Sequence, residues 1–288
     1  MLYLHKKKSE VSRLDEFLKL AYDRALNFRD KYRLGNYCAK QLFEILDLLE
    51  ITERISIKLI RTPIKDLNLA GFIGFKHGEF VIVTNTKNTL GSERFTIAHE
   101  IYHLLEDRVF IKNNSVIEEL VDGNIDNIKE IMATAFAVEL LMPKEDICSS
   151  IDEMTKNGTK SVDPMIVVRL QHKYGVDYVA ITKRLYEIKK ISEEQQKILN
   201  EFVSTDGELE KVTKNLGYTI DLNVPSEATY LSQKDLEIIK ENYDKGHTSY
   251  DDLVRFFSYL GCEPEKFGYE NNIELTDAAK DFMKRLLD

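Results

Sequence analysis

The hydrophobic period changes twice along this chain of 288 residues, and that limits the architectures open to it. From Ser9 to about Arg33, Val11, Leu14, Phe17, Leu18, Ala21, Ala25 and Phe28 recur at spacings of three and four, which predicts one long amphipathic helix. A second helix is predicted from Tyr37 to Glu50, with Leu42, Ile45, Leu46 and Leu49 on one face, and Gly35-Asn36 separates the two. At Ile55 the period falls to two. Ile55, Ile57 and Leu59 predict a strand stopped by Pro63, and Phe72–Phe75 and Glu79–Thr84 predict two more around the turn Lys76-His77-Gly78. Helical periodicity then returns over Ser92–Asp107, with Ser92 as the candidate N-cap, and over Asn127–Leu141, stopped by Pro143. Lys112–Asp126 reads as irregular, and Asp163–Lys190 as two helices broken at Tyr174-Gly175-Val176. Only 13 Gly and 5 Pro punctuate the chain, so the expected class is α+β and predominantly helical, with a small sheet.

Charge and cysteine usage narrow the function classes. A formal net charge of −9 argues against non-specific binding to nucleic acid, which depends on Lys and Arg neutralising phosphates. The three cysteines, Cys38, Cys148 and Cys262, are far apart and form no CxxC pair, as in a reduced cytosolic protein. In MLYLHKKKSE the charges follow the short apolar stretch, unlike a secretory signal, and there is no apolar run of spanning length. A cytoplasmic protein without a membrane partner is expected.

The chemistry is concentrated in His99-Glu100-Ile101-Tyr102-His103. On a helix, a spacing of four puts both imidazoles on one face, one turn apart, where two nitrogens can reach one zinc ion. Glu100 is one residue further round, placed to take a proton from a water without itself binding the metal. Chance alone would give a His-acid-x-x-His pattern at roughly 0.02 per chain of this composition.

A catalytic zinc needs a third protein ligand. The extended motif with Gly and a further His along the helix is excluded, because the position of that His holds Val109. A carboxylate from a second helix is the alternative. Glu130 opens such a helix, with Ala133 and Ala137 following on the same face to permit a close approach. Glu118, Glu119, Asp122 and Asp126 are rivals by composition.

Two separated segments resemble the ImmA/IrrE metallopeptidases. Residues 94–103, RFTIAHEIYH, are similar to that family's RFT-x-AHE-x-x-H, and residues 130–143, EIMATAFAVELLMP, to its E-x-x-A-N-x-FA-x-x-LLMP. Phe80–Asn85 is similar to the family's strand ending in Asn, and the likeness extends over about residues 37–188. The resemblance implies a zincin-like minimal peptidase domain with zinc held by His99, His103 and Glu130 and with Glu100 as general base. It also implies a protein substrate, an Xre-type helix-turn-helix repressor, whose cleavage would release phage, mobile-element or stress genes. Tyr102, Thr134 and Asp107 depart from the family's common Gly, Asn and His. Two other readings are a zinc-containing regulator that binds a repressor or DNA without cutting and a toxin–antitoxin component.

Tyr102, His172 and Tyr174 are conceivable oxyanion donors, with a structural role the simpler reading for each. The helix-turn-helix-like Met165–Tyr186 is read as the end of the peptidase domain, and direct DNA binding is not expected. The change of composition at Lys189-Lys190-Ile191-Ser192 suggests a peptidase domain over 1–190 and a mainly helical C-terminal region over 191–288 whose role the residues leave open.

Overall fold

A computed structural model describes residues 2–114, 116–118, 128–156, 160–258 and 262–270. It divides into two compact units, residues 1–227 and 228–288. The first opens with helix α1 (Leu2–Lys31), which begins seven residues before the predicted start. A 3-10 turn (Cys38–Gln41) leads into α2 (Leu42–Glu53), whose buried face is Leu42, Ile45, Leu46 and Leu49, as the periodicity predicts.

Strands β1 (Ile57–Thr62), β2 (Gly71–Lys76), β3 (Glu79–Asn85) and β4 (Val116–Glu118) form one sheet in the order β1-β3-β2-β4. β2 and β3 are an antiparallel hairpin closed by the pair Lys76↔Glu79. Its two-residue loop, His77-Gly78, has φ of 53° and 87°, the double left-handed conformation that matches strand twist in a tight hairpin. β1 runs parallel to β3, from Ile57↔Phe80 to Thr62↔Asn85, and β4 pairs antiparallel with β2. β4 falls inside the segment read as irregular. With three residues it is too short to show alternation.

Helix α3 (Leu90–Glu106) lies against β2, β3 and α2 on one side and α5 (Ile128–Leu141) on another. Its N-cap is Thr89, whose side chain accepts a hydrogen bond from the Ser92 backbone N–H, so the predicted cap Ser92 is the donor in that interaction. Gly91 allows the first turn to approach closely. A Cβ there would meet the Asp177 backbone nitrogen at 2.3 Å. α4 (Arg108–Asn114) follows at once. α5 is held between α1 and α3, with Ala133 and Ala137 fully buried and the Phe136 ring set edge-on to Phe28 at 5.8 Å.

Helices α6 (Lys144–Met154), α7 (Pro164–Tyr174) and α8 (Tyr178–Glu187) continue the first unit. The helix-turn-helix-like segment spans α7 and α8, with Val167, Leu170, Ile181 and Leu185 buried and Arg169 and Lys183 exposed. Arg184, one of its basic residues, is buried in an ion pair with Glu139 and donates to the Met142 carbonyl.

The compact unit runs past the change of composition at Lys190. Lys189 has φ of 60°, Ile191 is buried, and Ser192 caps α9 (Glu193–Ser204), so the segment is a tight turn between two helices. Leu199 on α9 joins the main core, and α10 (Glu208–Asn215) packs on α7 and α9. The chain then returns to the sheet side, where Pro225 bridges Thr89 and the Glu227 N–H donates to the Thr86 carbonyl.

The second unit contains α11 (Gln233–Asp244), α12 (Tyr250–Ser258) and a 3-10 turn (Pro264–Phe267). Leu253, Phe257 and Tyr269 form its buried cluster. Among the described residues no helix is long and apolar enough to cross a membrane.

Candidate metal centre

α3 is buried nearly all round, and its polar groups are buried with it. Glu93 is held by Arg61 at 2.9 and 3.1 Å and by the Thr84 hydroxyl at 3.0 Å, so the first turns are anchored to the sheet. Two turns on, His99, Glu100 and His103 are each about 1% exposed. Polar side chains so deeply buried need partners or a ligand.

The partners come from α5. Glu130, in its first turn, places Oε2 3.0 Å from His99 Nε2 and Oε1 3.2 Å from His103 Nε2. The two Nε2 atoms are themselves 3.1 Å apart. One donor atom from each of the three residues therefore faces a common point, all within 4.8 Å of one another. Ligands at the usual zinc distances around a tetrahedral ion stand about 3.3 Å apart, so this set fits a zinc ion with little rearrangement. Two imidazoles and one carboxylate are also the donor types of open, catalytic zinc sites.

The electrostatics follow from the same contacts. Burial alone pulls His103 down, but hydrogen bonds to Asp107 and Glu130 and the nearby charge of Glu100 outweigh it and hold the imidazole well above its ordinary value. Burial pushes Glu130 up, and the hydrogen bonds from His103 and His99 reverse this and leave its carboxyl well below the usual range. Both shifts have one source, the imidazole–carboxylate contacts within the cluster.

Of the sequence-predicted residues, His99, His103 and Glu130 are brought together, with Glu100 buried beside them. The rivals Glu119, Asp122 and Asp126 lie outside the described residues, as does the side chain of Glu118. The conceivable oxyanion donors are engaged in the packing. The Tyr102 hydroxyl accepts from Arg24 on α1 at 3.0 Å, Tyr174 shares a hydrogen bond of 3.1 Å with Ser150, and His172 stacks on Tyr218 with centroids 4.2 Å apart. Thr134 stands 3.5 Å from His99 Nδ1, where the related family commonly has Asn. Two residues without a predicted part lie behind His103. Asp107 Oδ2 is 2.9 Å from its Nδ1, and Lys129 pairs with the other oxygen of Asp107.

No curated protein matches the chain. Residues 52–186, which include every residue of the His99–His103–Glu130 cluster, match the family model of the IrrE N-terminal-like domain, Peptidase_M78.

Proposed function

We propose that the protein is a zinc-dependent endopeptidase in which His99, His103 and Glu130 hold the metal and Glu100 is the general base. The observation that carries this reading is the convergence of three donor atoms from two helices, with a buried carboxylate one residue from the first ligand. The chemistry that zinc supplies when bound is Lewis-acid polarisation of water and of the scissile carbonyl. Glu100 accepts the proton that the attacking water loses and returns it to the departing nitrogen, so one group serves as base and then as acid. Glu130 and the imidazoles fix the position of the reaction against α3, which is itself anchored to the sheet through Glu93 and Arg61.

The proposed substrate is a regulatory protein, an Xre-type repressor, cut in the cytoplasm to derepress phage, mobile-element or stress genes. Support for this substrate comes from the likeness of residues 94–103 and 130–143 to the ImmA/IrrE pattern. The test is incubation of the purified protein with the repressor encoded beside it, with and without a chelator, read on a gel. Cleavage that stops on chelation and returns with added zinc is the expected result. An intact repressor that nevertheless co-purifies with the protein would favour a regulator that binds without cutting.

A further inference from the structure

The end of α3 and the start of α5 share a second connection besides Glu130. Asp107, just beyond the last residue of α3, is 6% exposed. Its Oδ2 lies 2.9 Å from His103 Nδ1, and its Oδ1 is engaged by Lys129. An ionised carboxylate only accepts hydrogen bonds, so His103 Nδ1 must carry the hydrogen in this contact. The other nitrogen, Nε2, faces His99 and Glu130, so it is the one that would give up its proton and turn its lone pair to a metal, while Nδ1–H stays on Asp107. Lys129 is the residue before Glu130, so one turn of α5 supplies both the third donor carboxylate and the cation that holds the far side of Asp107.

We propose that Asp107, held by Lys129, is the positioning residue of the metal site: it fixes the tautomer and ring orientation of His103 so that Nε2 is delivered to the metal. This inference rests on the ligand assignment above. The backbone at this junction is already satisfied without the carboxylate, since the Asp107 N–H donates to the His103 carbonyl at 2.8 Å and the Asp107 carbonyl accepts from Ile111 at 2.9 Å. Replacing the Asp107 side chain therefore removes the contacts to His103 and Lys129 and leaves the helix junction in place. A carboxylate behind a metal-binding imidazole raises its basicity as well as orienting it, and losing such a partner typically costs 10–100-fold in metal affinity.

The test uses the full chain and zinc itself, with affinity measured by competition against a chromogenic chelator. Asp107→Ala is expected to weaken zinc binding by about 10–100-fold. Asp107→Asn, whose amide oxygen can accept the same hydrogen bond, is expected to recover much of that loss, and Lys129→Met to weaken binding less than Asp107→Ala does. A readout independent of the metal is ring-nitrogen NMR of His103 in the chelated protein. The parent should show the Nδ1 proton with the downfield shift of a strong hydrogen bond, and Asp107→Ala should lose that shift. His103→Ala separates the two possible failures. Parent-like zinc affinity in His103→Ala would sink the ligand assignment itself. If His103→Ala loses zinc while Asp107→Ala and Asp107→Asn keep parent-like affinity and ring shifts, the positioning role of Asp107 is overturned and the ligand assignment stands.

Discussion

α3 and α12 both carry charged and aromatic residues, but they use them in opposite ways. On α3, Glu93, Arg94, His99, Glu100 and His103 are all buried, surrounded by sheet and helix. On α12 only Leu253 and Phe257 are buried, and its charges face outward, as in the exposed pair Arg255–Asp252 at 3.4 Å. α11 is similar, with Lys240–Asp244 and Lys245–Glu241 along its surface. Surface pairs of this kind contribute little to stability, and their residues can be exchanged at small cost. A buried polar set survives only inside a core large enough to hold it against desolvation. The first unit has such a core, running from Ala21 to Leu199, whereas among the described residues of the second the buried cluster is Leu253, Phe257 and Tyr269 with a few flanking ones. Burial of chemistry-bearing groups thus separates the two helices: α3 keeps these five ionisable residues inside the core, and α12 keeps Asp251, Asp252 and Arg255 on the surface.

The largest expected effect lies in the first region. Glu100→Gln keeps size and burial but removes the basic oxygen, so hydrolysis should fall by about 10²–10⁴-fold while bound zinc, counted by elemental analysis, stays at the parent level. Loss of zinc together with activity would make Glu100 a ligand.

Truncation tests where the first region ends. A chain stopped after Glu227 should keep a cooperative melt and its zinc. One stopped after Lys190 loses Leu199 from the core, and a single large aliphatic truncation of this kind costs about 2–5 kcal/mol. It also loses the Asn200 side chain that accepts from Thr182 at 2.7 Å and the Leu222–Asn223 segment that accepts from Gln171. Equal stability of the two truncations would restore a boundary at Lys190, where the composition changes.

Two matched enlargements probe the contrast directly. Ala133→Leu on α5 inserts bulk into a fully buried position and should cost about 1–3 kcal/mol by denaturant unfolding, with weaker zinc binding as α5 is displaced. Val254→Leu on α12, at a position 43% exposed, should change stability by less than about 0.5 kcal/mol. If the two cost the same, packing does not distinguish the regions.

The smallest effect concerns pH. Hydrogen bonds from Lys31 and then Arg108 hold the Glu53 carboxyl down at about 2, against an ordinary value of 4.5. A folded-state value below the unfolded one stabilises the protein above pH 4.5, and that contribution is lost as the pH falls from 4.5 toward 2. Because the pairs are partly solvent-exposed, it should amount to less than about 1 kcal/mol. The stability difference between parent and Glu53→Gln, from urea unfolding at pH 6 and pH 3, should therefore shrink at the lower value.

The site was more legible in the sequence than the boundaries around it. Spacing alone places His99 and His103 on one face, and the small residues after Glu130 point to a helix able to pack closely. Asp107 stands four residues past His103 and so on the same helical face, a signal that was present but is easily taken for a departure from a family pattern. Lys129 had no such signal, because its part depends on how α5 meets α3. The Lys189–Ser192 segment reads as a linker because a left-handed residue and an N-cap serine use the same residue types as a loop. Lys190 in fact reaches Asp152 at 2.7 Å. Buried residues such as Leu199 decide where the unit ends, and that depends on tertiary packing.

The bridge between Thr89 and Pro225 has a consequence for the order in which the protein matures. Thr89 caps the helix that carries the two histidines, yet its bridging partner lies far downstream in the same chain. A ribosome delivers the whole histidine helix, and Glu130 with it, well before it delivers Pro225. Closing so long a loop is also slow compared with forming a local helix. On a growing chain, the loop leading into that helix must therefore wait for this backbone partner until Pro225 has been made. A nascent chain can thus have all three donor residues in place while the start of the helix that presents them is still incompletely tied down.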